Sequence, residues 1–97
     1  MTRRTIRWTR LALRRLDHIG AFIAQDNREA AVRVITRIVT AVDALADQPA
    51  MGRAGRIKTT REMVLTDIPY IIAYRVTGSH VDILTVMHAA QQWPEAL

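Results

Sequence analysis

The chain has 97 residues, enough for one hydrophobic core and too few for two. Its 49% hydrophobic and 24% charged content excludes a disordered segment, and the lack of cysteine excludes a disulfide frame and thiolate chemistry and suits a reducing compartment. Fourteen basic against nine acidic residues give a net charge of +5, and every cation but Lys58 is an arginine, which favours an anionic partner held through bidentate contacts.

Residues 3–8, ending in "RTIRW", alternate β-formers with arginine and predict a short first strand. From Thr9 the period changes. Ala12, Leu16, Ile19, Phe22 and Ile23 recur at three- and four-residue spacings, with Arg10, Arg14, Arg15 and Asp17 opposite, which predicts an amphipathic helix ending near Gln25. Asp26 with Glu29 three residues on resembles a capping box, and Ala31, Val34, Ile35, Ile38, Val42 and Leu45 mark a second helix that stops before Pro49.

The second half reads differently. "AMGRAGRIKTT" is a glycine-containing loop, "REMVL" a strand, "DIP" a turn, "YIIAYRV" a stronger strand and "VDILTVMH" the last one. A turn centred on Gly78-Ser79 sets Val76 against Val81 and Arg75 against Asp82. Unbroken alternation would then put Ile71, Ala73 and Arg75 on one face with Asp82, Leu84, Val86 and His88. Tyr70, Ile72 and Tyr74 would share the other with Ile83, Thr85 and Met87. The expected fold is a single α+β domain over residues 1–97 in the order β-α-α-β-β-β, a helix hairpin packed on a small, mainly antiparallel sheet with the first strand at an edge.

No stretch is long and apolar enough for a signal-peptide core or a bilayer span, so a cytoplasmic protein is expected. Ser79 is the only serine and lies in a turn; His18, His80 and His88 form no zinc spacing; "GRAG" lacks the GK[ST] ending of a phosphate loop. No metal or cofactor is expected. One chemistry that needs neither is RNA cleavage through its own 2′-hydroxyl, which requires an acid or base and cations for the phosphate. His88 has the titration range, Arg61 and Arg75 suit the phosphate, Arg53, Arg56 and Lys58 extend the field, and Trp93 suits a stacked base. Each has a plainer reading: a strand-end histidine in solvent, an Arg75–Asp82 cross-strand pair, and a tryptophan that pins the C-terminal tail.

The ordered pattern resembles the RelE/ParE superfamily, the toxins of bacterial type II toxin–antitoxin modules. It lies in Trp8 to Ile23, "NREAA" at Asn27 to Ala31, Leu45 to Gly55, "TREMV" at Thr60 to Val64, "PYIIAYRV" at Pro69 to Val76 and "VDILTVMHAAQQWP" at Val81 to Pro94. The resemblance implies two helices on a small twisted sheet and a cognate, usually acidic antitoxin, for which Arg10, Arg14 and Arg15 on the first helix are the expected contacts. It also implies one of two targets. RelE-like members cleave mRNA on the ribosome, and their chemistry maps onto Lys58, Arg61, Arg75 and His88, with Trp93 where an aromatic often sits. ParE-like members poison DNA gyrase and are not nucleases. Cleavage of mRNA is the expectation the positions suggest first, gyrase inhibition the alternative, and an inactive relative serving only in a repressor complex a third. After Arg75 the chain has no Lys, Arg or Tyr, which departs from many RelE-like nucleases.

Overall fold

The computed structural model describes residues 3–94. Strand β1 (Thr5–Trp8) leads into helix α1 (Arg10–Ala24), then α2 (Arg28–Ala44), β2 (Arg53–Ala54), β3 (Arg61–Val64), β4 (Tyr70–Thr77) and β5 (His80–His88). The sheet order is β1-β5-β4-β3-β2, antiparallel throughout except that β1 pairs parallel with β5 at the edge. The helix pair and four of the strands follow the sequence expectation. The two-residue β2 does not; it forms inside the glycine-containing loop, too short to leave a periodicity.

Thr9 caps α1, its hydroxyl accepting the Ala12 N–H at 3.1 Å. The cap of α2 falls one residue later than the sequence suggested: Asn27, not Asp26, accepts the Ala30 N–H at 2.9 Å. Ala12 and Ile19 of α1 and Ala31, Ile38, Ala41 and Val42 of α2 are buried, as their spacing requires. Phe22 is the exception, standing 64% exposed. The helices cover one sheet face, where Met63, Leu65, Ile72, Tyr74, Val81, Ile83 and Val86 complete the core.

The Gly78-Ser79 turn and the Arg75↔Asp82 register are as expected, with Gly78 at φ +44°. Beyond them the pairing shifts. Tyr74 lies opposite Ile83 but Ala73 opposite Thr85, so Leu84 is an extra residue in β5. Thr9 holds this bulge: its N–H and hydroxyl both donate to the Ile83 carbonyl, and the hydroxyl also approaches the Leu84 carbonyl at 3.1 Å. The faces predicted from unbroken alternation are therefore exchanged beyond Leu84. Val86 and His88 join Tyr70, Ile72 and Tyr74 on the helix side, and Thr85 and Met87 join Ile71, Ala73 and Arg75 on the other.

Tyr74 ties the loop after α2 to this core. Fully buried, it donates to the Pro49 carbonyl at 2.7 Å and accepts the Gly52 N–H at 2.8 Å. Burial raises its hydroxyl pKa, so the group stays a donor. A Cβ on Gly52 would lie 2.6 Å from the Tyr74 hydroxyl and 2.8 Å from the Glu62 carbonyl, so the close approach requires glycine. Tyr74→Phe is expected to lower unfolding stability by about 1–3 kcal/mol, because the Gly52 N–H loses its acceptor. Urea melts of the two proteins measure it.

Candidate functional site

The cations of "GRAGRIKTTR" divide by what they touch. Glu62, on the face away from the helices, has a side chain 1% exposed, and two arginines close on it. Arg53 reaches Oε1 at 2.9 Å; Arg56 reaches Oε2 at 3.1 Å through its guanidinium and 2.8 Å through its backbone N–H. Burial alone would push the Glu62 carboxyl up, yet the Arg56 N–H and the two guanidinium groups outweigh it and hold it below its ordinary value. Arg53 and Arg56 are thus structural partners of a buried carboxylate, and both remain about half exposed. Lys58 is exposed and, among the described residues, makes no side-chain contact of this kind.

Above this pair lies the tail. The Arg56 guanidinium sits 4.0 Å from the Trp93 ring centroid, a cation–π contact that fixes the tryptophan over the sheet. Trp93 Nε1 and Thr85 Oγ1 are buried without a hydrogen-bond partner. Arg75 shares this face. It makes no ion pair with Asp82, which instead accepts from Nε and Nη2 of Arg7 at 2.6 and 3.1 Å. Arg75 Nε donates to the Thr59 hydroxyl at 3.2 Å, and Thr59 has a φ of +67°, a left-handed conformation costly for a β-branched residue.

Arg61 and His88 lie elsewhere. Arg61 pairs with Tyr74, alternates onto the helix side and donates to the Gly52 carbonyl at 2.8 Å. His88 pairs with Tyr70, whose ring meets the imidazole edge-on at 5.4 Å. Those two rows are four positions apart on β4, roughly 13 Å along the strands. The bulge at Leu84 puts His88 on the face opposite Arg75. His88, Arg61 and Arg75 are therefore three separate places, not one constellation. The His88 ring is also committed at one nitrogen: Nδ1 accepts the Ala90 N–H at 3.1 Å, so the neutral ring carries its proton on Nε2.

On α1, Arg10 and Arg14 are exposed and Arg15 half-buried, and none forms an ion pair among the described residues. No group of three or more potential metal ligands occurs among the described residues, and no helix there is long and apolar enough to cross a membrane. Sequence reasoning missed Glu62. Its signal was present: it is the one carboxylate following four cations, at the start of a predicted strand.

The family model described as the ParE toxin of type II toxin–antitoxin systems, parDE, matches residues 6–93. The chain is 66% identical to the Y4kP protein of Sinorhizobium fredii over the full length of both. It is 40% identical to toxin RelE2 of Caulobacter vibrioides over 87% of this chain and 93% of that protein. Among solved structures it is similar to a chain of the chromosomal ParDE system of P. aeruginosa, with a TM-score of 0.79 at 26% identity over 88% of this chain and 95% of that one. A chain of the RelBE2 toxin–antitoxin complex of Mycobacterium tuberculosis has the same fold, with a TM-score of 0.70 at 24% identity over 94% and 97%. The chain belongs to the ParE toxin family of type II toxin–antitoxin systems, within the RelE/ParE superfamily.

Proposed function

We propose that this toxin arrests growth by binding DNA gyrase, in the ParE-like manner, and does not cut RNA. The observation that carries the reading is the separation of His88, Arg61 and Arg75 over two faces and both ends of the sheet. Cleavage through a 2′-hydroxyl needs its base, acid and phosphate cations within hydrogen-bond reach of one phosphodiester. In the Nε2–H tautomer the one lone pair of the His88 ring, on Nδ1, is already taken by the Ala90 N–H. The match to the ParE family model supports the same reading.

The cognate antitoxin is expected to dock an acidic segment along α1, where Arg10, Arg14 and Arg15 lack partners among the described residues. Arg53, Arg56, Lys58 and Trp93 then contribute a positive, partly aromatic surface to target binding. The name of the Caulobacter relative, RelE2, favours a second reading in which the same surface meets mRNA on the ribosome. Primer extension on a defined mRNA in a translating bacterial extract separates the two. The message is expected to stay intact with folded toxin present. New 5′ ends that require ribosomes and disappear with His88→Ala would establish the nuclease instead.

A further inference from the structure

A cleft of about 220 Å³ opens between α1 and the far ends of β4 and β5. Arg15 and His18 line one wall, Tyr70 and His88 the other. Ile19 and Val86 form an apolar floor, and the exposed ring of Phe22 stands at the rim. The bulge at Leu84 creates this arrangement, since without it His88 would face away from α1.

Arginine, histidine and tyrosine dominate the polar lining; Gln91, also there, has its carbonyl oxygen turned to the His88 backbone N–H. No carboxylate lines the cleft among the described residues, and the side chains of Arg15, His18 and Tyr70 make no hydrogen bond among them. Burial raises the Tyr70 hydroxyl pKa, so it is a donor at neutral pH. His88 completes the set, because its Nδ1 is taken by the Ala90 N–H and Nε2–H is the nitrogen left to donate. A metal ion would need a lone pair at that nitrogen, so a two-histidine metal site has the wrong polarity. Convergent donors over an apolar floor form an anion site.

We propose that this cleft binds a phosphomonoester, a nucleoside 5′-phosphate either free or at the 5′ end of a nucleic-acid chain. The phosphate takes the donors of Arg15, His18, Tyr70 and His88, and the base lies against Phe22. Donors approach from two opposed walls, which a tetrahedral phosphate can accept all round, whereas a planar carboxylate takes its best bonds in one plane. The cleft's volume suits a phosphate and its sugar and leaves the base at the rim.

The test is titration of the isotope-labelled toxin with adenosine 5′-monophosphate, adenosine, and a short oligonucleotide with either a 5′-phosphate or a 5′-hydroxyl, followed by the His18 and His88 ring signals. Adenosine monophosphate is expected to bind at least about tenfold more tightly than adenosine. Arg15→Gln is expected to weaken it about ten- to a hundredfold. The backbone spectrum of that variant reports that the fold is kept. If the 5′-phosphorylated oligonucleotide binds as well, the site takes chain ends; if only the mononucleotide binds, it takes free nucleotide. No shift at millimolar nucleotide would overturn the proposal. So would equal affinity for adenosine, measurable binding of the 5′-hydroxyl oligonucleotide equal to that of the 5′-phosphorylated one, or an unchanged Arg15→Gln.

Discussion

Replacing Arg53 and Arg56 together with glutamine is expected to lower unfolding stability by about 3–5 kcal/mol, a large share of what a domain this size commonly has. Exposed loop charges are ordinarily of little consequence for folding. The structure reverses that expectation, because Glu62 is buried and the two guanidinium groups are its compensation. The asymmetry is itself testable. Glu62→Gln costs less than the double arginine change, since the arginines are half exposed and rehydrate, whereas the carboxylate cannot. Adding Glu62→Leu to the double variant is expected to recover much of the loss, as replacing a buried ion pair with apolar groups often does. Denaturant midpoints of the four proteins decide it.

The same group sets a pH dependence. Glu62 is held below its unfolded value, so its contribution is present above the ordinary carboxylate range and lost as pH falls through the folded value. Asp82, part-buried and held down by Arg7, and Asp67, exposed and held down by Arg37, act in the same direction. Stability is expected to be flat near neutrality and to fall below about pH 4.5. A weaker acid dependence in Glu62→Gln, seen by urea melts across that range, would assign the largest part to this carboxylate.

The second large effect concerns α1. Changing Arg10, Arg14 and Arg15 to glutamate is expected to weaken antitoxin binding by more than about a hundredfold, because like charges across an interface cost several kcal/mol. Stability should not fall with it. The first turn of α1 has no acidic residue, and Arg10 there opposes the helix dipole. A glutamate at that position stabilises the helix by about 0.3–1 kcal/mol. Binding and folding are thus predicted to move in opposite directions. Calorimetric titration with the antitoxin, beside a thermal melt, reads both. Unchanged affinity would place the antitoxin elsewhere on the toxin.

Both helices, the Gly78-Ser79 turn and the Arg75↔Asp82 register were legible because periodicity and turn chemistry are local. The exchange of faces beyond Leu84 was not, since it depends on Thr9, 75 positions away, donating to the Leu84 carbonyl. A hint existed in the adjacent apolar pair Ile83-Leu84, which breaks strict alternation. That one residue decides whether His88 joins Arg75 or α1. Glu62 was overlooked for a related reason. Arg53, Arg56 and Glu62 look like a charged loop meeting a strand until β2 brings Arg53 opposite Glu62.

The most direct measurement is plasmid supercoiling by purified DNA gyrase with increasing amounts of the toxin, with and without its antitoxin. A ParE-like toxin is expected to abolish supercoiling near stoichiometric amounts, with antitoxin restoring it and His88→Ala leaving the inhibition intact. Undisturbed supercoiling by folded toxin that still arrests growth would contradict the proposed target.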